Sequence, residues 1–216
     1  MSKTQIATNG IADDAVGNTK LDLTANYAFT GTITGVPSGL TKITSHTLSS
    51  TSEFNLNGIF SADYENYLMV CSGLGVTGSA GYFSIRLKNS GGNATSNYVA
   101  SCINWQENAV SGVQRSEGSW RLNLRRASYA ATSAEHTPTI QMNIYAPFLA
   151  QVTKVNGLSH YRDDNNSQFY TEYMAGHNTN TTSYTDLNFV ADNSQNVFTT
   201  VTKLTVYGYQ KWHIKY

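Results

Sequence analysis

Residues 82–93 read Tyr-Phe-Ser-Ile-Arg-Leu-Lys-Asn-Ser-Gly-Gly-Asn. Phe83, Ile85 and Leu87 alternate with Ser84, Arg86 and Lys88. A two-residue period puts the apolar three on one face of a strand and the polar three on the other. Asn89-Ser-Gly-Gly-Asn93 follows, the strongest turn signal in the chain. An alternating strand that runs into a tight turn needs an antiparallel partner, so this stretch predicts sheet.

Working outward, the same pattern recurs. Thr139–Tyr145 alternates through Ile140, Met142 and Ile144, and Pro147 then blocks continuation as a central strand. Ser119–Leu124 alternates through Trp120, Leu122 and Leu124. Tyr67–Leu74 is a dense apolar run that suits a core strand. Ile43–Leu48, Glu53–Ile59, Tyr98–Trp105, Val152–Leu158, Gln168–Met174, Leu187–Val190 and Phe198–Tyr207 complete the series. Ser61–Asn66 fits a short helical turn capped by Ser61, and no segment supports a long helix. Turns every 8–20 residues predict an all-β, jelly-roll-like antiparallel β-sandwich over residues 41–216.

Composition agrees. The 216 residues include 26 Thr, 22 Ser, 21 Asn and 14 Tyr. Thr and Tyr favour strands; Asn and Ser favour turns. Charged residues are 13%, with 14 basic against 14 acidic. That balance argues against nucleic-acid binding, which normally needs a basic excess. The one basic cluster, Arg121, Arg125 and Arg126, reads as a solvated strand edge. Cys71 and Cys102 lie in apolar runs and read as buried thiols, with a disulfide the alternative. MSKTQIATNG lacks a secretory pattern, and apolar runs fall well short of the roughly 20 residues a membrane-spanning helix needs. A soluble protein made in a cytoplasm is expected.

Residues 1–40 are different. Ile6, Ile11, Val16 and Leu21 recur every five residues, which is neither a helix nor a strand period. Small and polar residues separate them, and Leu23, Tyr27 and Phe29 continue the apolar set. Such a segment cannot bury itself. It reads as an arm that attaches or self-associates, with the boundary at Pro37-Ser38-Gly39.

Catalytic and metal motifs are absent from the sequence. The five histidines (His46, His136, His160, His177, His213) form no ligand spacing, and there is no CxxC. Asp163-Asp164-Asn165-Asn166 lacks the spacing of a calcium loop. Glu107, Glu117, Glu135, Glu172 and Asp186 form no supported acid pair, and no nucleophile elbow or phosphate loop occurs. Neither an enzyme nor a cofactor is expected. Tyr161, Phe169, Tyr170, Tyr173, His177 and Tyr184 crowd beside the loop GHNTNTTSY. Tyrosine offers rigid contact area and Asn and Thr offer adaptable hydrogen bonds. Tyr170, Tyr173, His177, Asn178, Asn180 and Tyr184 are therefore the candidate receptor-binding residues, although many such rings serve only as core.

The arm GIADDAVGNTKLDLTANYAFTGTITGVP, with FNLNGIFSADYENYLMVCSGLG, RLKNSGGNATSNY and the closing LTVYGYQK, resembles tail-fibre and related virion proteins of bacteriophages, especially those of marine bacteria and cyanobacteria. The resemblance covers nearly the whole chain. It implies a virion structural protein, assembled in the host cytoplasm, in which the arm joins a homotrimer and other virion proteins (a tail adaptor, tail tube or capsid). The β domain would then bind a host surface glycan or receptor. A capsid decoration or head-fibre protein is the alternative; a small polysaccharide depolymerase is another. The arm here is shorter than the anchoring regions of long fibres.

Overall fold

The structure, a computed structural model, describes residues 39–48, 51–73, 76–77, 83–106, 109–121, 138–162, 168–191, 197–198 and 202–210. The chain divides into two units, residues 1–37 and 38–216. The arm residues Ile6, Ile11, Val16, Leu21, Leu23, Tyr27 and Phe29 lie outside the described residues.

Unit 38–216 is all-β and antiparallel. Its strands are β1 Leu40–Thr47, β2 Glu53–Leu56, β3 Tyr64–Ser72, β4 Val76–Thr77, β5 Phe83–Asn89, β6 Gly92–Asn93, β7 Tyr98–Gln106, β8 Ala109–Glu117, β9 Trp120–Arg121, β10 Thr139–Tyr145, β11 Thr153–Arg162, β12 Phe169–Asn178, β13 Asp186–Ala191, β14 Val197–Phe198 and β15 Lys203–Gln210. An eight-stranded sheet runs β1-β15-β3-β10-β11-β12-β7-β8. The facing sheet runs β2-β13-β5, with β6 and β9 both on the far side of β5.

The chain alternates between sheets: β1, β3, β10 and β15 in one, β2, β5, β9 and β13 in the other. Their spatial orders, β1-β15-β3-β10 and β2-β13-β5-β9, are those of an eight-stranded jelly roll. Two hairpins are added to it. β7–β8 leaves the chain between β5 and β9; β11–β12 leaves it between β10 and β13. Both join the larger sheet beyond β10, doubling its width on that side.

Alternation places the core. On β10 the pattern is strict, with Ile140, Met142 and Ile144 buried. Tyr67, Met69 and Cys71 of β3 and Leu204 and Val206 of β15 lie on the same inner face, against Phe83, Ile85, Leu87, Leu187 and Phe189 of the other sheet. At Gly208 on β15, a Cβ would come within 2.3 Å of the Tyr64 ring, so that ring can cover the strand only over glycine.

Several expectations change. Ser61–Asn66 is not helical: a turn at Ala62–Asp63 leads into β3 at Tyr64. Tyr67 Oη holds that turn, accepting from Ser61 N at 2.8 Å and donating to Ser61 O at 3.1 Å. Ser84 is buried rather than solvated. Arg121 is half-buried on β9, at the outer side of β5, and lines a small hollow with Cys102, Met142 and Glu172; Arg125 and Arg126 lie outside the described residues. Strand β8 was not foreseen. Cys71 and Cys102 are buried and not disulfide-bonded. Strands β10, β11 and β12 separate theirs, a distance of roughly 19 Å at strand spacing, several times what a disulfide spans.

Candidate functional site

Register decides which side chains share the outer face of the eight-stranded sheet. One row across it reads Val99, His177, Lys154, Tyr145, Asn66. The next reads Ser101, Ala175, Asn156, Asn143, Leu68, Tyr207. A third reads Ile103, Tyr173, Leu158, Gln141, Val70.

The small side chains Ser101 and Ala175 lie between taller neighbours, Tyr173 on one side and His177 on the other. With Tyr145, Lys154 and Asn156 they enclose an open hollow of about 490 Å³. Tyr145 and Lys154 also border a second hollow of about 550 Å³, lined by Glu65, Asn66, Gln151 and Thr181 among others. The two form one trough divided by the Tyr145–Lys154 pair. Each volume is in the range that small ligands occupy.

Hydrogen bonds fix the trough's polar groups. Tyr209 Oη donates to Asn143 Oδ1 at 2.7 Å, and Asn143 Nδ2 donates to Asn156 Oδ1 at 2.9 Å. Tyr145 Oη donates to the same Asn156 oxygen at 3.3 Å. The Asn156 amide is thereby oriented, and its Nδ2 hydrogens remain available to a ligand. Burial, and secondarily Tyr145, raise the Tyr209 hydroxyl above its ordinary pKa of 10.0. Beside the trough, Ala146 has φ 55°. A non-glycine residue in this region carries strain, a feature that clusters at binding sites. Ala146 N donates to Glu65 O at 2.9 Å and its carbonyl accepts from Leu149 N at 3.2 Å, which holds it there.

Beyond Tyr173 the same face turns apolar. Ile103, Trp105, Val110, Leu158 and Phe169 are all exposed by 43% or more. His160 stacks on Phe169, with ring centroids 6.0 Å apart and planes 10° apart.

No protein-family model, curated protein or solved structure gives a match to this chain.

The six candidate receptor-binding residues separate. Tyr173 and His177 line the trough. Tyr170 and Asn178 are fully buried and Tyr184 is 2% exposed, so none of these three can meet a receptor from its present position. Tyr170 stacks on Tyr161 at 5.6 Å. Asn178 and Asn180 build their own loop: Asn178 Nδ2 donates to Ser96 O at 3.0 Å, Asn178 Oδ1 accepts from Asn180 N at 3.0 Å, and Asn97 Nδ2 donates to Asn180 Oδ1 at 2.8 Å. Glu172 points inward, 3% exposed, and accepts from Asn104 Nδ2 at 2.7 Å and Tyr161 Oη at 2.5 Å. Asp186 Oδ1 accepts from Gly58 N at 2.6 Å. Among the described residues no three His, Cys, Asp or Glu are placed to hold a metal; Asp163–Asn166 lie outside them.

Tyr145, Lys154, Asn156 and Ser101 were missed. Tyr145 and Lys154 pair across the β10–β11 hairpin, whose strands were both foreseen. What the sequence did not show is that β7 pairs with β12, bringing Ser101 beside Ala175.

Proposed function

We propose that this chain is a structural protein of a bacteriophage virion, a tail fibre or similar appendage. Residues 1–40 attach it to the particle and join it to its own copies. Unit 38–216 meets the host surface through a glycan. The observation that carries the binding half of this reading is the trough: tyrosine side chains, an oriented asparagine amide and an exposed lysine on the outer face of a widened jelly-roll sheet. Jelly rolls serve both capsid and lectin roles, and rigid tyrosines with amide partners suit recognition. The resemblance of residues 10–37 to fibre segments supports the attachment half.

The test is competition. Purified full-length protein, added to host bacteria before infection, should occupy the receptor and reduce virion adsorption. The Tyr173→Ala and Asn156→Ala variants should need roughly tenfold more protein for the same effect, the loss of about one good contact each. Failure of the wild-type chain to bind cells or to compete would overturn the receptor role.

A further inference from the structure

The trough's charge narrows its ligand, an inference that rests on the glycan-binding reading above. The hollow between Tyr173 and His177 has Lys154 and His177 in its wall and no acidic side chain. Lys154 stands directly across from His177 on one side and from Tyr145 on the other. Its row across the sheet, Val99, His177, Lys154, Tyr145, Asn66, contains no carboxylate. Its outward-facing neighbour along β11, Asn156, is neutral. Among the described residues that line the trough, the one acidic residue is Glu65, on β3, beyond β10. At strand spacing its backbone lies roughly 10 Å from that of Lys154, and it borders only the second hollow.

An exposed lysine whose described neighbours in this hollow are neutral and imidazole groups is an attractive field for a negative charge at close range. Asn156 Nδ2, with its oxygen already occupied by Asn143 and Tyr145, presents donors to the same hollow. The His177 ring adds one N–H in its neutral form. A hollow in which an ammonium and an amide N–H group stand together fits a ligand rich in acceptors. The rings of Tyr145 and Tyr173 supply flat apolar surface for the ligand's body.

We infer that the hollow lined by Tyr145, Lys154, Asn156, Tyr173 and His177 selects an anionic glycan. The ligand's carboxylate or phosphate sits against Lys154 and Asn156, and its sugar ring lies on a tyrosine. No covalent step is involved.

Full-length protein tests this against three polymers in affinity electrophoresis: polygalacturonate (carboxylate), a glycerol-phosphate teichoic polymer (phosphate) and dextran (neutral). At least one anionic polymer should retard the protein at a concentration about tenfold or more below that needed for dextran, because a charge-assisted contact is worth about that factor. Which of the two it is identifies the anion. Retardation should weaken between 50 and 300 mM salt, as screening requires. Lys154→Gln should abolish the preference, Lys154→Arg should keep it, and Tyr173→Ala should weaken retention by the anionic polymer. Lys154 is exposed on the sheet surface, so neither substitution threatens folding, and a thermal melt verifies this. Equal retention by dextran, or an unchanged preference in Lys154→Gln, overturns the charge selection while leaving glycan binding in place. No retention by any polymer, together with failure to bind host cells, overturns both.

Discussion

Cys71 shows how position changes the chemistry of a residue. Its side chain is fully buried on β3, and burial pushes the thiol far above its ordinary pKa of 9.0. The thiolate is the reactive form, so the folded protein at pH 8 should leave Cys71 unmodified by a thiol reagent; in denaturant both cysteines should react. The raised value also sets a pH dependence. The folded state keeps this proton above pH 9 while the unfolded chain releases it, so stability present at neutral pH is lost as pH rises past about 9. Between pH 7 and pH 10 the wild type should lose roughly 1 kcal/mol more than Cys71→Ala, read from urea unfolding at the two pH values. Equal losses would rule the mechanism out. Tyr98, whose Oη accepts from Leu87 N at 2.8 Å, is likewise raised by burial and adds to the alkaline loss above about pH 10.

At the scale of the element, β12 explains why the candidate residues divided. Its sequence, FYTEYMAGHN, sends Tyr170, Glu172 and Met174 inward and Phe169 and Tyr173 outward. Alternation alone made Tyr170 and Tyr173 opposite in facing, but not which of them faced water: a glutamate on the buried side contradicts the usual polarity rule. Glu172 is tolerated there because Asn104 of β7 and Tyr161 of β11 donate to it, tying three strands together. Glu172→Ala should leave both donors without that acceptor and cost about 2–5 kcal/mol in urea unfolding. Glu172→Gln, which keeps an oxygen in place, should cost less than half of that. A loss below 1 kcal/mol for the alanine variant would contradict the tie. The same strand needs Gly176, where a Cβ would lie 2.5 Å from the Val99 carbonyl and 3.2 Å from Trp120 Nε1. Trp120 occupies that space, edge-on to Tyr98 at 4.9 Å, and so holds the short strand β9 over the larger sheet. Strand β8 escaped sequence reading because Ala109-Val-Ser-Gly112 offers too little apolar alternation; pairing with β7 defines it instead.

For the molecule as a whole, unit 38–216 has a single core shared by both sheets, and joining copies of the chain is the role proposed for residues 1–40. Self-association should therefore depend on the arm. Light scattering at micromolar concentration should show a trimer for the full chain and a monomer for the chain lacking residues 1–36; a full-length monomer would remove the arm's assigned role. The order of strands in space belongs to this scale as well. Alternating periods in Phe83–Leu87 and Thr139–Tyr145, and turns such as Asn89–Asn93, were local and could be read directly. Every such signal is set by neighbours a few residues apart. The sequence by itself thus determined an all-β chain, most of its longer strands, and the positions of Ile140, Met142, Ile144, Phe83, Ile85 and Leu87 in the core. Only the tertiary structure decided that β7 and β8 join the far side of β12, that Ser101 and Ala175 leave a hollow there, and that Lys154 borders it with no carboxylate among the described lining residues. Those outcomes depend on pairing between strands distant in sequence, where register, rather than local periodicity, chooses each side chain's neighbours.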